Sequence, residues 1–315
     1  MPPDVSDAGG LFFKVPFMKK RPFLMALLVI GAVFVGFVVI IVAVAGIVGN
    51  SAHLPIGHKV GVIQVVGPIV SSDKTVREIV DFSKDDSIEA VVLRVDSPGG
   101  GVGPSQEIYV EIERLAEVKP VVVSMGSVAA SGGYYVAVPA DRIVANPGTI
   151  TGSIGVIMGF TNYQELLDKI GLKNTVVKSG EHKDIGSPVR PMTDEDRAIL
   201  QGLIDDVHRQ FVDAIAKGRE LEVDAVLSFA DGRIFTGRQA QQIGLVDELG
   251  NFQDAVEVAA TLAEIDGDPR LVYPPKEKPD FIEYFMQEAF SHFEKGLREQ
   301  SQSGLQYIWN GTIGR

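Results

Sequence analysis

Residues 90–101 read AVVLRVDSPGGG, and this stretch decides the fold class. Its first six residues are almost all apolar, which is typical of a strand buried on both faces. Three glycines follow, and residues 104–115 then have the spacing of an amphipathic helix with Pro104 near its first turn. A strand, a glycine-rich turn and a helix in this order indicate one unit of an α/β domain.

The same alternation of strands and helices extends from residue 60 to residue 263. It predicts an α/β domain with mainly parallel strand pairing. Thr193 and Thr236 stand where N-caps of two of the helices are expected. Further strands are predicted at 60–66, 121–124, 143–145, 154–158 and 175–177, and further helices at 75–82, 165–170, 194–217, 237–243 and 252–263.

The composition excludes several classes of protein. The chain has 315 residues and a net charge of -12, with 29 basic and 41 acidic side chains. A nucleic-acid-binding protein needs a basic surface, so no nucleic acid is expected as a partner. Cysteine is absent, which excludes disulfides, thiolate metal sites and a cysteine nucleophile.

An apolar run near the N-terminus predicts a single transmembrane helix over residues 22–48. The run at 23–48 has 26 almost wholly apolar residues. As a helix it would be about 39 Å long, enough to span a bilayer core of about 30 Å. A signal peptide has a shorter apolar region, although the Ala43-Val44-Ala45 sequence resembles a cleavage motif and leaves cleavage open. Basic residues before the run predict a cytoplasmic N-terminus; they are Lys14, Lys19, Lys20 and Arg21.

The remaining chain divides into a linker, a main domain and a tail. The tail has an apolar residue at every fourth position, which predicts an amphipathic helix. Its acidic polar face favours docking on protein over docking on a membrane. The apolar positions are Phe281, Phe285, Ala289, Phe293 and Leu297. The predicted segments are a cytoplasmic N-terminus at 1–21, the transmembrane helix at 22–48, a linker at 49–59, the domain at 60–273 and the tail at 274–315.

Ser131 is the first candidate for chemistry, because it stands between Ala130 and Gly132 where a helix could begin. A helix N-terminus supplies unpaired N–H groups and a partial positive charge, which suit a nucleophile and its oxyanion hole. An N-cap serine beside tightly packed small residues explains the same pattern equally well. The glycines at 99–101 likewise suit either a ligand-facing backbone or a turn.

A serine nucleophile also needs a base. His182 is the only histidine near the other candidate residues. A lysine serves as the base where burial lowers its pKa from an ordinary value of about 10.4. The residues alone leave both possibilities open.

Five blocks of the sequence resemble, in order, the signature blocks of the bacterial signal peptide peptidase SppA family. The resemblance is to the short form of peptidase family S49, within the crotonase/Clp-protease superfamily, and runs from about residue 60 to about residue 263. The blocks are DSPGG at 96–100, ASGGYY at 130–135, TGSIGV at 151–156, SGEHKD at 179–184 and DGRIFTGRQA at 231–240, with GLVD at 244–247.

The resemblance implies a membrane-anchored serine endopeptidase whose protease domain is a spiral of β-β-α units behind one transmembrane helix. By motif matching, Ser131 is the nucleophile and Lys183, which directly precedes the motif aspartate, is the general base of a Ser–Lys dyad. The N–H groups of Gly100 and Gly132 match the oxyanion hole, and Ser153 matches a residue that hydrogen-bonds the lysine. No metal and no other cofactor is implied.

The resemblance also implies substrates, location and assembly. Cleaved signal peptides and other extended peptides are the expected substrates. The expected location is the bacterial inner membrane, with the catalytic domain on the extracytoplasmic face. Relatives form homo-oligomers, in which one dyad can be shared between subunits. The alternatives are a membrane protease acting on intact envelope proteins, a non-catalytic scaffold and an acyl-CoA enzyme on the same fold.

Overall fold

A computed structural model describes residues 30–40, residues 57–275 and the backbone of residues 306–308. The chain forms two units, Met1–Ile56 and Gly57–Arg315. In the first unit residues 30–40 form a helix, α1, with exposed side chains. None of the helices in the described ranges has both the length and the apolar run needed to cross a membrane. Most of the predicted span at 22–48 and the predicted tail helix lie outside these ranges.

The second unit alternates strands and helices, as the sequence predicts. The strands are β1 (Lys59–Val66), β2 (Ala90–Ser97), β3 (Gly99–Gly101), β4 (Val121–Ala130), β5 (Arg142–Ala145), β6 (Ile150–Gly152), β7 (Ile234–Thr236), β8 (Glu248–Leu249), β9 (Arg270–Val272) and β10 (Gln306–Ile308). The helices are α2 (Asp73–Lys84), α3 (Val102–Ala116), α4 (Gly132–Tyr135), α5 (Gln164–Lys169), α6 (Asp194–Gly218), α7 (Val223–Leu227), α8 (Gly237–Gln242) and α9 (Phe252–Leu262).

The strands form one large sheet in the order β7-β6-β4-β2-β1-β9, with β5 pairing β4 and β8. Every pairing in this sheet is parallel except that of β6 with β7. The prediction of an α/β domain with mainly parallel pairing is therefore confirmed. A second, small sheet pairs β10 with β3 in the antiparallel sense.

Strand β4 holds the centre of the large sheet because it pairs with three other strands. Its first half lies between β2 and β5, and its second half turns to β6. Between these halves a bulge sets three residues of β4, 126–128, against one residue of β2, Asp96. The Asp96 carboxylate fills this bulge, where its Oδ1 accepts from the Val128 N–H at 3.1 Å. A Cβ at Gly126 would lie 2.6 Å from the Asp96 Cγ, so the bulge needs glycine there.

Strand β2 is buried on both faces, which its apolar sequence predicts. Leu93 belongs to the larger of two cores, which also contains side chains of α3 and α6, whereas Val92 belongs to a smaller core that contains side chains of α9. Both side chains are at most 1% exposed. Truncation of a leucine buried in this way to alanine costs about 2–5 kcal/mol.

Two predicted N-caps are confirmed. The Thr193 Oγ1 accepts from the Asp196 N–H at 3.0 Å at the start of α6. The Thr236 Oγ1 accepts from the Gln239 N–H at 3.2 Å at the start of α8. Each cap is part of a capping box, which satisfies two backbone donors that the first helical turn leaves unpaired.

Two predicted strands are wrong. Residues 154–158 contain only an isolated bridge, and the strand of this region is β6, which lies just before them. Residues 175–177 have no regular structure, and Val177 is 96% exposed. A short β-branched run forms a strand only when a partner strand and a burying surface are present, and the described residues supply neither at 175–177.

Candidate active site

Ser131 lies between the end of β4 and the first residue of α4. Its backbone is strained, with φ of 55° and ψ of -119°, a conformation that side chains disfavour. The turn is held on both sides, because the Ser131 N–H donates to the Gly152 carbonyl at 2.8 Å and its carbonyl accepts from the Tyr135 N–H at 2.8 Å. This tight strand-to-helix turn aims the serine side chain away from the sheet ladder.

The Ser131 hydroxyl is buried and unpartnered. The residue is 1% exposed, and among the described side chains its Oγ is the one fully buried polar atom without a hydrogen bond. A buried hydroxyl without a partner costs about 1–3 kcal/mol. Strain and an unsatisfied hydroxyl at one residue are typical of a functional site rather than of a helix cap.

Strand β3 provides a glycine backbone beside the serine. The Ile69 N–H donates to the Gly99 carbonyl at 2.9 Å, and the Gly101 N–H donates to the Ile69 carbonyl at 2.8 Å. Because hydrogen-bonding groups alternate along a strand, the N–H of Gly100 faces the opposite side. A Cβ at Gly100 would lie 2.1 Å from the Ile69 carbonyl oxygen, so only glycine fits.

The N–H of Gly132 starts α4, directly after the serine. A Cβ at Gly132 would lie 3.1 Å from the Gly100 nitrogen and 2.7 Å from the Ser105 Oγ, so the two glycines of the predicted oxyanion hole are neighbours. The Ser105 Oγ donates to the Gly101 carbonyl at 2.8 Å and helps to fix the loop. Side-chain-free backbone donors beside a serine hydroxyl are what stabilises an oxyanion.

Two tyrosines anchor α4. The Tyr134 hydroxyl donates to the Leu245 carbonyl at 2.8 Å, and complete burial raises the pKa of Tyr134. The ring of Tyr135 packs against Tyr109 and Phe211, with centroid distances of 5.0 Å and 4.9 Å. Burial, with a smaller effect from Tyr109, raises the pKa of Tyr135 to about 12. Both phenols are therefore neutral packing groups near neutral pH.

Ser153 lies one residue beyond the Gly152 carbonyl that binds the Ser131 N–H. It also has positive φ, 51°, and is 7% exposed. Its N–H donates to the Arg233 carbonyl at 2.8 Å. Ser153 borders a cavity of about 460 Å³ whose polar lining includes Asp205, His208 and Asp231.

Lys183 lies in a run of turns over residues 181–186, and its side chain is exposed. Because the Ser131 Oγ has no hydrogen-bond partner, the Lys183 Nζ does not bind it within one chain. The structure thus gathers Ser131, Gly100, Gly132 and Ser153 at one place and makes no contact between Ser131 and Lys183.

An ionic cluster next to Lys183 was not predicted from the sequence. The Asp184 carboxylate accepts from Lys178 and Arg190, and Arg190 also donates to Asp196. The only sequence signal is the clustering of opposite charges around Pro188 and Pro191, which does not reveal which charges pair. The residues that the structure describes contain no group of three or more His, Asp or Glu placed to hold a metal ion.

A strained, buried serine at a helix start, beside two glycine N–H groups, is the arrangement of a serine hydrolase. Comparisons with known proteins then indicate which family of serine hydrolases the chain resembles. The sequence profile of peptidase family S49 matches residues 113–266.

Several relatives are similar over more than half of the chain. A protein of Synechocystis sp. provisionally named a protease is 49% identical over 211 residues, which are 67% of this chain and 76% of the relative. Another provisionally named protease, from Methanocaldococcus jannaschii, is 40% identical over 235 residues, 75% of this chain and 69% of the relative. A protein of Enterococcus faecium provisionally named signal peptide peptidase SppA is 40% identical over 177 residues, 56% and 52% of the two chains.

The chain belongs to peptidase family S49, and the resemblance to the SppA family is confirmed. It is a serine-type peptidase with a mixed α/β fold.

Proposed function

We propose that this chain is a membrane-anchored serine endopeptidase that hydrolyses extended peptides, among them cleaved signal peptides, with Ser131 as nucleophile and Lys183 as general base. The observation that carries the proposal is the unpartnered, buried Oγ of Ser131 on its strained turn. We further assign the domain to the crotonase/Clp-type spiral, in which β2, β3 and α3 form one β-β-α unit.

The chemistry follows from the groups around Ser131. Neutral Lys183 removes the hydroxyl proton as the Oγ attacks the peptide carbonyl carbon. The N–H groups of Gly100 and Gly132 stabilise the resulting oxyanion. Lys183 returns the proton to the leaving amine, and an acyl–Ser131 ester remains. The lysine then deprotonates a water molecule, whose attack on the ester releases the acid and restores the serine.

Substrate binds, in this proposal, as an added strand on the side of β3 that pairs with β10. The pairing of β10 with β3 supports this mode, because Tyr307 lies opposite Gly100 in an antiparallel register. A peptide in the same place would present its carbonyl close to the Gly100 N–H. Strand addition recognises backbone, which suits extended peptides of varied sequence.

The dyad is, we infer, shared between two copies of the chain in a ring-like oligomer. The Ser131 Oγ has no hydrogen-bond partner among the residues that the structure describes, and Lys183 is exposed. A solvated lysine is charged near neutral pH, so a neighbouring subunit that buries Lys183 would also favour its basic form. Large apolar side chains stand exposed just before the Lys183 turn, which supports a protein interface there; they are Leu166, Ile170, Leu172, Val176 and Val177.

Mixing two inactive variants tests the shared dyad. Ser131→Ala supplies an intact lysine, and Lys183→Ala supplies an intact serine. If subunits exchange and the dyad is shared, the mixture regains part of the wild-type activity. A mixture that exchanges subunits, as followed by energy transfer between labels, and stays inactive contradicts the shared dyad.

The anchor is proposed from the sequence alone. Residues 22–48 would hold the protein in the bacterial inner membrane with residues 1–21 in the cytoplasm and the protease domain outside. Reporter fusions after residue 15 and after residue 60 test this topology. A reporter that is active outside the cytoplasm only after residue 60 supports it, and the opposite pattern contradicts it.

Peptide hydrolysis tests the catalytic assignment. The full chain in detergent is compared with its Ser131→Ala and Lys183→Ala variants on a fluorogenic peptide from pH 6 to pH 10. Loss of activity in both variants, with wild-type kcat rising with pH, supports the Ser–Lys dyad. Full activity in Lys183→Ala contradicts it and favours His182 as the base.

A further inference from the structure

Lys183 stands at the tip of a turn whose next residue is clamped by an arginine. The Asp184 carboxylate accepts from the Arg190 Nε at 3.0 Å and from the Arg190 Nη2 at 2.9 Å, a two-point contact. The Arg190 Nη2 also donates to the Asp184 carbonyl at 3.3 Å. Lys178 adds a third contact, from its Nζ to the Asp184 Oδ1 at 2.8 Å. A bidentate arginine fixes both the position and the orientation of a carboxylate.

The same arginine reaches the first turn of α6. Its Nη1 donates to the Asp196 Oδ2 at 2.5 Å, and the Asp196 side chain is only 3% exposed. Asp196 is itself held, because its Oδ2 accepts from the Thr193 N–H at 3.1 Å in the capping box. Arg190 therefore ties the turn that carries Lys183 to the capped first turn of a 25-residue helix.

The residue on the other side of Lys183 faces the same helix end. The His182 Nε2 lies 3.5 Å from the Glu195 Oε1, and its Nδ1 lies 4.0 Å from the Asp196 Oδ1. Both neighbours of Lys183 are thus directed toward α6, while Lys183 points outward and is exposed. An isolated surface ion pair contributes little, but this cluster has a bidentate contact and one buried carboxylate.

Helix α6 connects this cluster to the serine side of the site. Its residue Phe211 is completely buried and packs edge-on against Tyr135 at 4.9 Å between ring centroids. Tyr135 belongs to the short helix that starts directly after Ser131. One rigid helix therefore carries the Lys183 turn at its start and supports the Ser131 turn further along.

The charges of the cluster persist over the working pH range. The hydrogen bond from Arg190 is the main cause that lowers the pKa of Asp196 to about 2, and it also lowers the pKa of Asp184. These two carboxylates in turn raise the pKa of Arg190. The contacts between Arg190 and both carboxylates are consequently intact from pH 6 to pH 10.

We propose that Arg190 is the positioning residue of the catalytic lysine, fixing the Lys183 turn on the first turn of α6 so that the amine meets a serine hydroxyl. The inference rests on the proposed role of Lys183 as base. Arg190 itself touches neither substrate nor the serine in this proposal. Its side chain acts through Asp184, the residue that follows Lys183.

Kinetics of full-length Arg190→Gln in detergent test the proposal. Loss of the clamp lets the lysine amine leave its productive position, and a misplacement of about 1 Å costs about 100-fold in rate. We expect kcat to fall by about that factor while KM changes less than about twofold, because peptide binding on β3 is untouched. Arg190→Lys, which keeps the charge but not the two-point contact, should recover part of the loss.

The pH profile separates positioning from a general loss of stability. Arg190→Gln removes a cation near Lys183 and leaves the Asp184 charge less compensated, so the charged form of the lysine is favoured. The rise of kcat with pH should therefore move to higher pH. The charged or titratable groups around the Lys183 turn, which influence this pH profile, are Lys178, His182, Asp184, Arg190, Glu195 and Asp196.

Two variants serve as controls. Arg114→Gln removes an arginine paired with Glu111 on the surface of α3 and should keep wild-type kcat and pH profile. Asn251→Ala removes a cap from α9 and should lower Tm without moving the pH profile.

Each outcome has a distinct meaning. Full activity in Lys183→Ala overturns the proposed function. If Lys183→Ala is inactive but Arg190→Gln keeps the wild-type kcat and pH profile, the role of Arg190 is overturned and the proposed function stands. If Arg190→Gln does not fold, Asp184→Asn replaces it, and wild-type kcat in that folded variant overturns the positioning role.

Discussion

Ser131 combines two energetically unfavourable features, a disfavoured backbone conformation and a buried hydroxyl without a hydrogen-bond partner. A non-glycine residue in a disfavoured backbone conformation costs about 1–3 kcal/mol, and a buried hydroxyl without a partner costs about as much again. Surrounding contacts hold the residue in place, chiefly the bonds to the Gly152 carbonyl and from the Tyr135 N–H. These energetic costs support the proposed chemical role of the hydroxyl.

Ser131→Gly should be more stable than Ser131→Ala. Glycine relieves the backbone strain at φ of 55°. It also makes the unfolded chain more flexible, which offsets part of this gain. The free energy of unfolding of Ser131→Gly should therefore exceed that of Ser131→Ala by about 1 kcal/mol. Urea denaturation of the two variants measures the difference, and both should be inactive. A glycine variant less stable than the alanine variant would show that the turn is unstrained.

Gly132→Ala should impair catalysis much more than stability. The added Cβ would stand 2.7 Å from the Ser105 Oγ and 3.1 Å from the Gly100 nitrogen, so it displaces a proposed oxyanion donor. Loss of one such donor lowers kcat by about 100- to 1,000-fold. Gly103→Ala in α3 is the control, because its Cβ meets nothing within 4 Å. Wild-type kcat in Gly132→Ala would exclude this N–H from the oxyanion hole.

At the scale of the elements, the pairing of β10 with β3 has a kinetic consequence. A peptide that adds to β3 must take the place that β10 occupies, so the two compete. A chain ending at residue 300 should have a severalfold lower KM and an unchanged kcat on peptide substrates. A chain ending at residue 308 retains β10 and is the control. An unchanged or higher KM in the shorter chain would contradict strand addition on β3.

The capping box of α6 should make stability fall in acid. The pKa of Asp196 is lowered to about 2, chiefly by Arg190, from an unfolded value of about 3.9. A group whose folded pKa is depressed stabilises the fold above its unfolded pKa and loses that effect as pH falls through the folded pKa. The difference in unfolding free energy between wild type and Asp196→Asn should therefore shrink from pH 5 to pH 2.

Urea denaturation at several pH values measures this difference. Asp268→Asn, at an exposed position, controls for the loss of a surface charge. A difference between wild type and Asp196→Asn that is constant with pH would contradict the role of the Asp196 carboxylate.

Long periodic elements were predictable from the sequence, and short ones were not. Helix α6 was predicted to within one residue, because 25 residues of amphipathic spacing and a threonine cap define it locally. The strand predicted at 175–177 is wrong because its apolar run is exposed. The pairing of β10 with β3 joins segments about 200 residues apart, and no local pattern encodes such a contact.

The candidate site was predictable to a similar extent. The motif blocks identified Ser131, Gly100, Gly132 and Ser153, and the structure brings these residues together. Arg190 was missed, because its role depends on two carboxylates that only the folded turn aligns. The lack of contact between Lys183 and Ser131 could not be predicted either, since a motif does not tell whether two residues meet within one chain.

For the whole molecule, the proposed shared dyad makes activity a property of the assembly. Ser131 without a partner and Lys183 exposed on the same chain describe an incomplete site. If a second copy completes it, then activity per subunit depends on the association equilibrium.

Dilution should therefore lower the specific activity. Below the concentration at which the oligomer dissociates, each monomer has a serine without a base, and kcat per subunit should fall toward zero. Activity against protein concentration, with light scattering at each point, measures the effect. Undiminished activity of a monomer would require that Lys183 reach Ser131 within one chain.

The bulged strand β4 also predicts which parts of the protease exchange backbone hydrogen for deuterium. Its amides lie in the middle of the sheet with three neighbouring strands, so they exchange only when the whole domain unfolds. The turn at 181–186 has no strand partner and exchanges through small local openings. Ser131 thus follows a slowly exchanging strand, whereas Lys183, the proposed base, sits on a turn that exchanges faster than β4.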